Sequence, residues 1–182
     1  LVGEVRDLST MRTAIRAAET GHLVFTTVHA GDCVGSIERL ISLFPADEQA
    51  GARVQLALVL RAVVAQHLLP VSDAVVRRLE RAHPEARRPI DRRVPVSEIL
   101  RGSNAVSHLV ASGKSAQVYS AMESGTRHGM QTLEQDLARP LAEGTIVEET
   151  ALALSRQPRI LRDRAVQLGW RPTSEATERG RP

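Results

Sequence analysis

Glu4 is the side chain best placed in this sequence to do chemistry. It follows the apolar pair Leu1-Val2 through a single glycine, Gly3, and leads into Val5-Arg6-Asp7. A carboxylate just past a buried strand is held rigidly at a sheet edge, where α/β proteins bind their ligands. Such a group orients or deprotonates an attacking water. Taken alone, Glu4 also reads as a surface glutamate in a strand-to-helix turn. Arg6 and Asp7 suit a local ion pair, and Asp7 also suits a helix cap. Site-shaping and structural roles are both open for them. His22 and His29 bracket a second segment rich in Val, Thr and Phe. Fully extended, that segment sets them roughly 23 Å apart, too far to share a metal unless the chain turns back. Each taken singly is an ordinary packed or hydrogen-bonded histidine. His29 lies at the C-terminal end of its segment, as Glu4 does.

The elements that position these residues follow from spacing. Leu1 to Gly3 reads as the end of a buried strand. Ser9 or Thr10 caps a helix whose apolar positions include Met11, Ile15 and Ala18, with Gly21 just past its end. His22 to Val28 reads as an internal strand covered on both faces. Val34, Ile37, Leu40, Ile41 and Phe44 recur at helical spacing. Ala46 to Ala62 reads as a further helix and Val63 to Leu69 as a short buried strand. The alternation of strand and helix points to an α/β core with a parallel sheet. Asp73 to Ala82 reads as a short helix within a polar stretch, and Val94 to Leu100 as a returning strand. Helices follow at 104–112, 115–123 and 130–143, closed by Gly113, Gly125 and Gly144, then at about 148–154. Met130 and Leu133 read as core. Pro158 to Leu168 fits an amphipathic helix, and 171–182 reads as disordered.

Composition narrows the function classes. The 182 residues are 42% hydrophobic but only 2% aromatic, so the core is aliphatic. No run is long enough to span a membrane. Cys33 is the only cysteine, which excludes an internal disulfide and a cysteine-only zinc site. The net charge of +3 is unevenly placed. Residues 71–93 carry seven arginines against four acids, and 156–182 carry seven against three. The remainder is mildly acidic, so the basic charge reads as solvated surface and not as a nucleic-acid footprint. Gly113-Lys114-Ser115 imitates the end of a phosphate loop. Its spacing requires a first glycine at 108, where His108 stands, and the segment joins two helices where a phosphate loop follows a strand.

The string LVGEVRDLSTMRTAIRAAETGHLVFTTVHA resembles the Walker B and histidine-box region of the secretion ATPases, the hexameric motors of type II secretion and type IV pili. SIERLISLFPADEQAGARVQLALVLRAVVAQHLLP is most similar to the pilus retraction, or twitching-motility, branch. Similarity resumes in VPVSEILRGSNAVSHLVASGKSAQVYSAMESG and in GMQTLEQDLARPLAEGTI. The resemblance implies an α/β fold: the C-terminal half of a RecA-like parallel-sheet ATPase domain followed by a small helical subdomain. It divides the chain into a core at 1–70, a polar Arg-rich insertion at 71–93, a returning strand with helices at 94–157, and a basic, partly disordered tail at 158–182. It makes Glu4 the Walker B catalytic glutamate, with His29 and His22 the histidine-box residues. His29 is the phosphate-side one. Gly3, Glu4, Arg6 and Asp7 form the nucleotide-binding motif. A generic Walker B has aspartate where Gly3 stands; this family characteristically has glycine.

The same resemblance implies ATP and Mg²⁺ as cofactors, with no metal site of the protein's own. It implies a homo-hexamer working with a pilus platform membrane protein and pilin, without nucleic acid, at the cytoplasmic face of the inner membrane. No phosphate loop precedes Glu4, so the chain reads as beginning halfway through the ATPase domain, inactive alone. A type II secretion or pilus assembly ATPase, or a non-catalytic remnant, are the alternatives. Many assembly and secretion members carry a four-cysteine zinc module, which Cys33 alone excludes. Where typical retraction motors read A-I-R-N-L-I-R, this chain reads Ala105-Val106-Ser107-His108-Leu109-Val110-Ala111.

Overall fold

A computed structural model describes residues 1–82 and 92–172. The centre of the expected insertion, 83–91, and most of the expected disordered end, 173–182, lie outside the described residues. Helix α1 spans Leu8–Glu19 and is capped by Asp7, whose carboxylate accepts from the Thr10 amide at 2.8 Å. Capping thus falls one turn earlier than Ser9 or Thr10. Met11 and Ile15 are its buried stripe. Gly21 follows the C-cap at φ +93°, a left-handed conformation that glycine adopts without strain.

Helix α2, Cys33–Ile41, is capped by Asp32 through the Gly35 amide at 2.6 Å, and α3 spans Gln49–Val59. Strand β1 is Ala62–Pro70, α4 is Asp73–Ala82 and β2 is Arg93–Arg101. Helices α5 (Asn104–Ala111) and α6 (Ser115–Ser124) precede a 3₁₀ turn at Thr126–His128. Helices α7 (Leu133–Ala142), α8 (Glu148–Leu154) and α9 (Pro158–Gln167) complete the described chain. β1 and β2 form a two-stranded sheet. Gly102 donates to the Arg61 carbonyl and Val71 to the Arg92 carbonyl, so the pair runs antiparallel.

Contacts group the chain into two units, Leu1–Gln66 with Ser97–Thr132 and His67–Val96 with Leu133–Pro182, whose boundaries fall inside both strands. In the first, Val5, Met11, Ile15, Ile37, Ile41 and Phe44 close a core with Leu100, Val106, Val110 and Met122. Here α5 packs on α3, and the Ser107 hydroxyl donates to the Ala57 carbonyl at 2.9 Å. In the second, Val96, Leu133, Leu137, Leu141, Ile146, Leu161 and Ala165 form the core. Both cores are almost wholly aliphatic, as the composition requires, and Met130 and Leu133 are core residues.

Four expectations are corrected. Residues 22–28 are not a covered internal strand: only Thr27 forms a bridge, and Leu23 and Phe25 are 69% and 61% exposed. Val24 and Val28 are only partly buried, with Val28 packed against the first core. Leu1, expected at a buried strand end, is fully exposed. β1 buries one face alone, through Ala65 and Leu69, while Val64 and Leu68 face solvent. The expected tail, in turn, contains core: Leu161 and Ala165 of α9 are completely buried.

Candidate functional site

Backbone pairing brings the first chemistry-bearing residues together. Val2 donates to the Phe25 carbonyl at 2.9 Å and Val5 to the Thr27 carbonyl at 3.2 Å, with Glu4 and Thr27 in a parallel bridge. The Thr27 hydroxyl donates to the Gly3 carbonyl at 2.6 Å. Parallel register carries both segments toward the same end, so bridged Glu4 and His29, two residues past Thr27, become neighbours.

Glu4 is the hub. Its Oε2 accepts from Arg6 Nε at 2.6 Å and from Arg6 Nη2 at 2.5 Å. Its Oε1 lies 3.1 Å from His29 Nε2. The carboxylate is one-fifth exposed, while the imidazole is largely open to solvent. The Arg6 guanidinium, then the nearby His29 and Arg39, hold the Glu4 carboxyl below its ordinary range against the opposing effect of partial burial. Glu4 is therefore ionised at neutral pH. A carboxylate offers roughly four acceptor sites, and Arg6 and His29 occupy three. One remains for a water. Asp7 faces the helix: its carboxyl is lowered chiefly by the Thr10 amide and hydroxyl. Gly3 has open space where a Cβ would stand.

His22 is not brought to Glu4. Its Nδ1 lies 3.1 Å from the Thr20 hydroxyl and 3.3 Å from the Ala17 carbonyl, at the C-terminal end of α1. Lys114 and Ser115 stand between α5 and α6, and the Ser115 hydroxyl donates to Glu38, so that tripeptide closes a helix junction. Among the described residues no three His, Cys, Asp or Glu side chains gather as metal ligands. Magnesium needs less, because it takes one or two carboxylates and otherwise phosphate and water oxygens. Glu4 fits that demand.

Sequence reasoning missed Glu98. It is 2% exposed on β2, and its Oε2 accepts from the Cys33 amide at 2.8 Å, at the start of α2. The signal was present as period-two alternation, since Val96, Glu98 and Leu100 share one face.

Fold and site together define an α/β protein with a carboxylate, Glu4, held between the Arg6 guanidinium and the His29 ring. The chain belongs to the type II/IV secretion system protein family, whose sequence model matches residues 1–153. It is 38% identical over 158 residues to the type IV pilus retractation ATPase PilT of Pseudomonas aeruginosa, covering 87% of this chain and 41% of that protein. It is 36% identical over 151 residues to the twitching motility protein of Neisseria gonorrhoeae, covering 83% and 36%. Among solved structures, the pilus retraction motor PilT with bound ADP superposes with TM-score 0.70 at 34% identity, over 89% of this chain and 41% of that one. The ATPase DotB of Legionella pneumophila does so with TM-score 0.63 at 27% identity, over 84% and 37%. The chain spans about two-fifths of the length of these relatives. The fold is accordingly α/β, as in these ATPase structures. No helix among the described residues is long and apolar enough to cross a membrane.

Proposed function

We propose that this chain is the Walker B-containing part of an ATP-hydrolysing subunit of a hexameric pilus-retraction motor, with Glu4 activating the attacking water. The observation that carries this reading is the Glu4 carboxylate held between Arg6 and His29. Phosphoryl transfer asks the protein for positioning and electrostatic stabilisation and for little covalent chemistry. Ionised Glu4 takes a hydrogen bond from the water and orients it. Arg6 and His29 lie where the oxygens of a terminal phosphate would find N–H donors, and Gly3 leaves the backbone open to close approach. Bound magnesium would neutralise phosphate charge, with Glu4 the carboxylate nearest to it. His22, set apart at the end of α1, suits a contact at a subunit boundary. Nucleotide contacts from a phosphate loop are supplied by no segment of these 182 residues, so the chain alone is inactive in this reading. The motor works at the cytoplasmic face of the inner membrane, beside a platform protein and the pilin machinery, and does not bind nucleic acid.

The test is Glu4→Gln in a polypeptide that also carries the phosphate loop. Turnover falls by about 10²–10⁴-fold while nucleotide binding persists. A variant above half the wild-type rate would remove Glu4 from the mechanism. One observation favours a second reading, a related motor with another output. On α5, Ser107 serves packing against α3, and His108 and Ala111 stand where retraction motors carry other side chains. Deletion of the full gene separates the two: hyperpiliated, non-motile cells support retraction, loss of all pili supports assembly, and unchanged pili leave a secretion role or a non-catalytic remnant.

A further inference from the structure

Glu98 sits on β2 with Val96 and Leu100, all three buried. A carboxylate taken out of water is costly unless its hydrogen bonds are made. Glu98 Oε2 meets the Cys33 amide at 2.8 Å, on the first residue of α2. Three residues lie between His29 and Cys33: Ala30, Gly31 and Asp32. Asp32 turns inward to cap α2 through Gly35. Cys33 is wholly buried, with its thiol 3.4 Å from the Val63 carbonyl and 3.5 Å from that of Glu98. The chain leaving His29 is therefore fastened to the β1–β2 pair at Cys33, where the Glu98 carboxylate takes the backbone amide. His29 itself is largely exposed, and its contact with Glu4 is the sole bond holding its ring among those described above. An exposed imidazole at the end of a short turn keeps its place only if the turn is anchored.

We propose that Glu98 is a positioning residue of the Glu4–His29 pair. Through the Cys33 amide it fixes the start of α2, and through the three-residue turn it fixes where the His29 ring meets Glu4. Its required feature is an acceptor of the right reach, set at a helix N-terminus where negative charge is favoured. The proposal rests on the reading of Glu4 and His29 as the hydrolytic site, but its test does not need turnover.

The readout is the change in the His29 ring-proton shift caused by Glu4→Gln, followed by NMR in the whole 182-residue chain. It is measured in wild type and in Glu98→Gln, Glu98→Val and Glu98→Asp backgrounds. Gln keeps acceptor and reach, so the response persists. Val removes the acceptor and Asp withdraws it by one methylene, so the response falls by more than half in each. Asp retains the charge and polarity of the site and keeps the test available should the Val variant fail to fold. An undiminished response in the folded Val or Asp background overturns the proposal. Loss in the Gln background as complete as in the others overturns it too. Intact coupling in a longer form that turns over no ATP would instead sink the hydrolytic reading and leave the role of Glu98 standing.

Discussion

The Glu4 carboxylate and the His29 imidazole stand 3.1 Å apart on segments joined by a single parallel bridge. Three further hydrogen bonds hold that register: Val2 to Phe25, Val5 to Thr27 and the Thr27 hydroxyl to Gly3. The pair is thus placed by backbone pairing, while Arg6 is the main cause that holds the Glu4 carboxyl below its ordinary range.

Arg6→Gln is expected to raise the Glu4 carboxyl toward its ordinary value of 4.5, since Arg6 is the largest cause of its lowering. A carboxyl lowered in the folded state stabilises above its ordinary value and loses that contribution as pH falls through the lowered one. In wild type the Glu4–Arg6 contact therefore persists into mildly acid solution. A carboxyl-carbon NMR titration of both proteins reads the shift. An unchanged midpoint in the variant would mean that Arg6 does not control Glu4.

Cys33 makes the opposite prediction. Burial first, then the Glu98 carboxylate, push its thiol up to about 12 from an ordinary 9.0. Thiolate is the reactive form, so at pH 8 the native thiol reacts with a disulfide reagent at least about 100-fold more slowly than in urea. The sign on stability is negative with rising pH. Below 9 both states hold the proton, and between 9 and 12 only the unfolded state gives it up, so stability declines across that window. Equal labelling rates in buffer and urea would show that the thiol is not buried as described.

Helices with a clean apolar stripe were legible in the sequence, since burial of their faces is written in local spacing. Asp73–Ala82 is such a case, its bounds matching the expectation. Gly21, Gly113 and Gly144, expected at helix ends, all adopt positive φ. Gly125, expected on the same grounds, does not: its φ is −84°, and a Cβ there would meet Met130 Sδ at 2.6 Å. That demand is tertiary, invisible to local pattern. The open strand at 22–28 was misread for a related reason. Val, Thr and Phe record what a segment prefers beside neighbours, not whether the neighbours are there. At the site, Glu4 and His29 were legible as two strand-end residues, and their meeting required the parallel register.

Two glycines should respond oppositely to alanine. Gly51 lies within α3 with nothing near a built Cβ, so Gly51→Ala stabilises by about 0.5–1 kcal/mol through helix propensity. At Gly102 a Cβ would stand 2.4 Å from the Leu60 carbonyl, beside the bond from the Gly102 amide to Arg61. Backbone cannot yield there as a side-chain tip would, so Gly102→Ala costs about 1–3 kcal/mol. Urea midpoints of the two variants should move in opposite directions. A Gly102→Ala midpoint equal to wild type would deny the close approach.

Helix α9 carries the last prediction, which concerns the stretch expected from the sequence to be a basic, partly disordered tail at 158–182. Leu161 and Ala165 are fully buried in the second unit, where α9 packs on α7. The entry to α9 is fastened as well. The buried Glu134 carboxylate accepts from the Ser155 hydroxyl at 3.2 Å and from the Arg156 and Gln157 amides at 3.0 and 3.1 Å. Removing 158–182 would strip Leu161 and Ala165 from the core and leave Leu137 and Leu141 facing water. Leu161→Ala is the milder version and costs about 2–5 kcal/mol, the range for deleting a fully buried leucine side chain. Trp170, the only tryptophan, is half-buried against the same core and reports on it directly. Its fluorescence transition in urea should come at markedly lower denaturant in Leu161→Ala. Arg159→Ala, on the exposed face of the same helix, should leave it within about 0.5 kcal/mol of wild type. Coincident transitions for Leu161→Ala and wild type would return α9 to the status of an appendage.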